Sequence, residues 1–183
     1  MWKILAALAV GIATALYGAW SYFPTVMFTE RVSPYGVEET VARIQQNIQA
    51  ASGKGWTLSG LRNAAKPIQK DGGNVLPVLM IEACSTRYSG PILKDDALRF
   101  LSILMSCKIS VYKKSDGKVY IGTMNASLIG AMFGTKVGNI MKEVAEDQQS
   151  FLKFDPKKPA PKMIEGMPGA GGGGAAAGGA DGC

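Results

Sequence analysis

Twenty consecutive uncharged residues, Ile4–Phe23, constrain this chain more than any other feature, with only Thr14 and Ser21 as small polar side chains. At about 1.5 Å of rise per residue, a helix over this run covers the roughly 30 Å hydrocarbon core of a bilayer. Trp20 and Tyr22 stand at its outer end, where amphipathic rings favour the headgroup layer, and Pro24 is predicted to stop the helix. A cleaved signal peptide is the competing reading, because Ala13-Thr14-Ala15 resembles a cleavage site. Cleavage there would leave an apolar stub, Leu16–Phe23, on the mature chain, so a retained anchor is the expectation. Ala7, Gly11, Ala15 and Ala19 recur every fourth residue as a small-residue stripe suited to close packing with another helix. A short amino-terminal tail ahead of a long domain stays cytoplasmic as a rule, which predicts a single-pass protein with its domain on the extracytoplasmic, or periplasmic, side.

The remainder divides in two. Residues 27–155 have the size of one domain, after an anchor at 1–24. Residues 156–183 begin with lysines and prolines and continue as a glycine–alanine tract; nine of the 23 glycines fall in Gly166–Cys183. Such a composition predicts a flexible tail, since dense glycine does not recover its ordering entropy by burial.

Histidine is absent from the chain. That excludes Ser-His-Asp and Cys-His catalysis, His-ligated metals and a His-based pH switch. Three cysteines do not make a disulfide framework. The net charge of +6 raises the question of nucleic acid, but the charge is spread along the chain. The densest cluster, Lys108, Lys113, Lys114 and Lys118, lacks aromatics interleaved as a stacking platform requires and is interrupted by Asp116. No nucleic-acid partner and no cofactor are expected.

Within the domain, Met27–Val32 alternates as a first strand. A helix follows, with Gly36 as N-cap, Glu38 and Glu39 placed against its dipole, and Val37, Val41, Ile44 and Ile48 as its apolar stripe. Trp56–Leu61 suggests a second strand, Lys66–Asn74 a surface loop, and Val75–Cys84 the clearest strand, with Leu79, Ile81 and Ala83 on one face and Met80, Glu82 and Cys84 on the other. Asp95 or Asp96 is placed to cap a short helix bearing Leu98, Leu101 and Leu104. Cys107–Tyr112 and Lys118–Thr123 form a hairpin around Asp116-Gly117. Asn125 caps Ala126–Phe133, and a last helix runs from about Lys136 to Leu152. The order predicts an α+β two-layer sandwich, an antiparallel sheet with helices on one face, beside the single transmembrane helix.

Ser33-Pro34-Tyr35, Val37-Glu38-Glu39-Thr40, Glu82-Ala83-Cys84, Ser106 to Tyr112, Asp116 to Tyr120, Met124-Asn125 and Phe133-Gly134 together resemble the prokaryotic family called domain of unknown function 302, over about Phe28–Leu152. The resemblance implies a compact two-layer domain that tends to dimerise, and it implies no assigned activity. The family's cysteine positions correspond to Cys84 and Cys107.

Two groups of residues are candidates for function. Cys84 ends one strand and Cys107 begins the next, so antiparallel pairing brings those ends together as buried hydrophobes, a disulfide, or a thiol or ligand site with Glu82 and Lys108. Strand phase opposes this, because Cys107 alternates with the apolar Ile109 and Val111 whereas Cys84 shares a face with Met80 and Glu82. The second group is the outer sheet face, with Met80, Ser110, Tyr112, Tyr120 and Met124 beside Glu82, Cys84 and Lys108. It is too apolar for plain surface and too polar for core, as in a dimer interface or a pocket wall. The expectation is an accessory or binding module, a homodimer or a subunit of a membrane complex, with its small-molecule ligand, if any, unspecified. The alternative is thiol-dependent handling of sulfur species, electrons or Cu(I) through Cys84 and Cys107.

Overall fold

The computed structural model describes residues 2–165. Helix α1 (Trp2–Met27) carries the apolar run, with a mean hydropathy of 1.7 and no buried residue. It runs through Pro24 rather than stopping there, and the first strand accordingly starts at Phe28 rather than Met27. Pro24 has no N–H to give the Trp20 carbonyl, so the helix continues one turn past it at the loss of that bond, and the Thr25 hydroxyl donates to the Tyr22 carbonyl at 2.6 Å. The Thr14 and Ser21 hydroxyls likewise donate to Val10 and Tyr17 carbonyls, each at 2.8 Å. Each hydroxyl is satisfied within its own helix, as a lipid-exposed span requires. The stripe of Ala7, Gly11, Ala15 and Ala19 is fully open along α1.

The domain is one five-stranded antiparallel sheet built from β1 (Phe28–Ser33), β2 (Trp56–Asn63), β3 (Val78–Ser85), β4 (Cys107–Lys113) and β5 (Val119–Met124), in the order β1-β5-β4-β3-β2. Helices α2 (Val37–Ala50), α4 (Thr86–Leu93) and α6 (Thr135–Phe151) cover one face. The α2 stripe Val41, Ile44 and Ile48 meets Leu79, Ile81, Ile109, Val111 and Ile121 from the sheet and Val137, Met141, Val144 and Phe151 from α6, in one continuous core. The short helix α5 (Ala126–Ala131) is capped by Asn125, whose side chain accepts the Leu128 amide. It lies close against α6: a Cβ at Gly130 would stand 2.3 Å from that of Met141.

Four further segments differ from the sequence reading. Residues 66–74 were expected as a loop, but Asn63 accepts the amides of Ala65 and Lys66 and starts a short helix, α3 (Ala65–Lys70). The connection after β3 holds α4, whose Tyr88 and Ile92 are buried, and then a 3₁₀ turn, Arg99–Leu104, in place of an α-helix capped by Asp95 or Asp96. The Asp95 side chain instead accepts the Ala97 amide in a tight turn. Strand β3 starts at Val78, not Val75. Finally, the tail expected to be flexible from residue 156 is held on α2 as far as residue 164. Arg43 donates to the Asp155 and Lys158 carbonyls (both 3.1 Å), Asn47 to those of Phe151 and Lys153, and Gln45 pairs in both directions with the Ile164 backbone. The glycine–alanine tract and Cys183 lie outside the described residues.

Candidate functional site

Strand alternation puts the core residues on the helical face and a different set on the other. Among the described residues, no helix packs on that second face. It carries Phe28, Glu30 and Val32 from β1, Tyr120, Gly122 and Met124 from β5, Lys108, Ser110 and Tyr112 from β4, and Met80 and Glu82 from β3. Pairing fixes their neighbours: Glu30, Gly122, Ser110 and Met80 form one row across the sheet, and Val32, Tyr120 and Tyr112 form the next. Seven of the outer-face residues named from the sequence therefore share one surface, and the eighth, Cys84, is fully buried. Gly122 keeps the middle of the first row low, with Tyr112 lying over it; a Cβ there would meet the ring at 3.3 Å.

At one end of this face is a groove of about 530 Å³, lined by Phe28, Thr29, Glu30, Ile103, Leu104, Ser106, Lys108, Ser110, Tyr112, Gly122, Thr123 and Met124. The connection before β4 forms its outer wall. Its floor is small and polar, and its rim is apolar. At the other end, Tyr112 and Tyr120 stack at 6.1 Å, with Lys114 4.2 Å from the Tyr120 ring centre. Glu30 accepts from Lys114 at 2.7 Å and from the Tyr112 hydroxyl, and these two bonds hold its carboxyl below the usual carboxylate range. Tyr112 is pushed up to about 12, first by burial and then by the Glu30 carboxylate. Tyr120 is raised by its hydrogen bond to Asp116, at 2.7 Å. Both phenols keep their protons at neutral pH and spend them on Glu30 and Asp116, which fixes the two flat rings as a stacked platform on the face.

Glu82 and Lys108 stand directly opposite each other in the β3–β4 register, yet among the described residues no ion pair joins them. Lys108 thus lines the groove without a carboxylate partner, and it is exposed.

The two strand-end cysteines are not bonded to each other. Cys107 is a free thiol, so Cys84 and Cys107 share no disulfide. Ala83, not Cys84, is the register partner of Cys107. Cys107 packs against the core cluster beside Ile109, whereas Cys84 continues the alternation of Met80 and Glu82. No bulge interrupts this stretch of β3 and β4 to bring them round. Burial pushes the Cys107 thiol up to about 12, the opposite of the lowered value a thiolate assisted by Lys108 would need. Among the described residues, no group of three or more Cys, Asp and Glu side chains is placed to hold a metal ion.

Sequence reasoning missed one polar centre under the sheet. Asp147 of α6 accepts from Trp56 Nε1 at 2.9 Å, from the Tyr88 hydroxyl at 2.9 Å and from Lys54 at 2.5 Å. Burial works to raise its carboxyl, but these three donors outweigh burial and hold it below the usual range. Tyr88 is pushed up to about 12, by burial and then by Asp147. The available signal was its position: Asp147 falls on the same side of α6 as Val144 and Phe151. It also missed Glu30, Gly122 and Ile103, which only pairing and the turn before β4 bring to the groove.

The fold and site define a two-layer α+β domain with one sheet face that, among the described residues, no α-helix covers, following a helix long and apolar enough to cross a membrane. The family model described as domain of unknown function DUF302 matches residues 29–154, and the chain belongs to that family. The match starts just after α1. Among solved structures, the chain is similar to the crystal structure of an uncharacterized conserved protein DUF302 from Bacillus stearothermophilus, with a TM-score of 0.59 and 16% identity over 69% of this chain and 95% of that one. At that identity the likeness is one of fold. No curated protein matches the sequence.

Proposed function

We propose that this protein is a membrane-anchored binding module that acts through protein contacts made by the bare face of its sheet, on the extracytoplasmic side. The observation that carries the reading is the composition of that face. Stacked tyrosines, methionine, a glycine-floored groove and an unpaired lysine replace the alternating charged side chains of a solvated sheet. The contact is with a second copy of the chain or with subunits of a membrane complex, and the small-residue stripe on α1 supplies a matching helix contact within the bilayer. The thiol-dependent alternative has no comparable support, because burial keeps Cys107 protonated.

Mild detergent extraction followed by size analysis tests this function. A particle larger than one chain in its micelle, broken by Tyr112→Asp on the bare face, is expected. A monomer with no co-purifying partner contradicts the proposal. Protease added to cells with a permeable outer layer tests the orientation: digestion of the domain is expected. Survival until the inner membrane is opened would reverse the topology.

A further inference from the structure

The exposed apolar side chains of the domain are not scattered. Strand β1 leaves α1 directly, so the anchor end of the sheet is the one where β1, β2 and β4 start and β3 and β5 finish. The connections at this end are residues 51–55, which lead into β2, Thr86–Ser106, and the segment from Asn125 through α5. Phe100 (64% exposed), Ile103 (81%), Met132 (61%) and Phe133 come from the last two of these, and Phe28 (62%) begins β1. The remaining large exposed apolar residues among those described, outside α1, are Val32, Ile68 and Leu76. Val32 is near the far end of β1, and Ile68 and Leu76 flank the connection between β2 and β3 at the opposite end of the sheet.

The anchor-end residues form a connected rim. Phe100 and Phe133 meet edge to face at 6.2 Å, and Ile103, from the same turn as Phe100, lines the groove with Phe28 and Met124. The carboxylates of the turn are neutralised, Asp95 by Lys136 at 2.7 Å and Asp96 by Arg99 at 2.5 Å. No free carboxylate of that turn opposes a lipid headgroup.

The length of α1 sets where this rim stands. If Ile4–Phe23 fills the hydrocarbon, Pro24–Met27 extends only about 6 Å beyond it, which is the depth of the headgroup layer. Asn125 then ties the domain to that point, its amide donating to the Met27 carbonyl at 2.8 Å and its side chain to that of Val26 at 3.0 Å. There is no linker to lift the domain into water.

We propose that the anchor end of the domain is a second membrane-contact surface, in which Phe100, Ile103, Met132 and Phe133 seat it against the lipid headgroups of the bilayer that α1 spans. The inference rests on α1 being a membrane span. It makes the domain a rider on the lipid surface with a fixed tilt, and it turns the mouth of the groove toward that surface.

The test uses the full chain reconstituted in phosphatidylcholine vesicles with brominated acyl chains, which quench tryptophan on contact. In a Trp2→Phe, Trp20→Phe background, single tryptophans are placed by Phe100→Trp or Phe133→Trp at the rim and by Ile68→Trp at the opposite end; buried Trp56 is common to all. A Trp2→Phe chain that keeps Trp20 reports the anchor. The rim tryptophans should lose at least about half of their added emission, as expected for rings at the headgroup–acyl boundary, and Ile68→Trp should lose none. Rim tryptophans as bright as Ile68→Trp, with Trp20 quenched, overturn the inference and leave the anchor standing. Quenching at Ile68→Trp as strong as at the rim also overturns it. An unquenched Trp20 removes the anchor and the inference together.

Discussion

Replacing Asp147 with alanine should be among the most damaging single changes in the domain, although the residue reads as one more charge on a surface helix. Its carboxylate takes two donors with no other partner, Trp56 Nε1–H, from a side chain only 1% exposed, and the Tyr88 hydroxyl. Leaving a buried donor unsatisfied costs about 1–3 kcal/mol, so the pair sets a loss of about 2–6 kcal/mol. The Lys54 side chain is 55% exposed and returns to water, so its ion pair adds at most about 1 kcal/mol. A loss near 4 kcal/mol is a large part of the stability of an ordinary domain, about 5–15 kcal/mol. The assay is urea unfolding of the chain from Thr25 onward, since no residue of α1 is buried in the domain. With a slope of about 2 kcal/mol per molar, the midpoint should fall by roughly 2 M. Asp147→Asn retains an oxygen acceptor for the two donors and should lose less than half as much. In a Tyr88→Phe background, Asp147→Ala should cost clearly less than in the parent, because one of the orphaned donors is gone. A loss below about 1 kcal/mol, or full additivity with Tyr88→Phe, would refute the reasoning.

Three further outcomes follow from the same geometry. The Asp147 carboxyl is depressed in the folded state, so its contribution is present above the unfolded carboxylate value of about 3.9 and lost as pH falls through the folded value; Asp147→Asn should flatten this acid limb in pH-dependent unfolding. The Cys107 peptide should resist alkylation at pH 8 in the native protein and react on unfolding, as mapped by mass spectrometry, because burial raises that thiol to about 12. Gly130→Ala drives a Cβ to 2.3 Å from the Met141 Cβ and should cost about 1–3 kcal/mol in the same urea assay, by prising α5 from α6.

What the sequence revealed, and what it concealed, follows from periodicity. Val41, Ile44 and Ile48 recur at helical spacing and are all fully buried; Leu79, Ile81 and Ala83 alternate with Met80 and Glu82 and do face the core. Those patterns repeat, so they are readable. Helix α4 contains Gly90 and Pro91, which by propensity break helices, and the burial of Tyr88 and Ile92 with the Tyr88–Asp147 hydrogen bond holds it on the core. Arg43 and Gln45 read as the polar side of α2, yet both are buried because their side chains hold backbone groups of residues 155–164, more than a hundred positions away. Nothing local announces such contacts. The candidate site divides the same way. Alternation placed Met80, Ser110, Tyr112, Tyr120 and Met124 on one face, whereas Glu30 and Ile103 join them through pairing and a turn whose sequence suggested a helix. The Cys84–Cys107 idea rested on strand ends meeting, and the strand phase that opposed it is what the register bears out.

A photoreactive amino acid placed at Ser110, in the centre of the bare face, tests the central claim most directly when the full chain is irradiated in its native membrane. Contact between that face and protein predicts a discrete adduct of higher mass at Ser110 and none at Gln46, which is exposed on α2. An equal yield at both positions, or no adduct at Ser110 from a chain shown to be folded and membrane-bound, would contradict it.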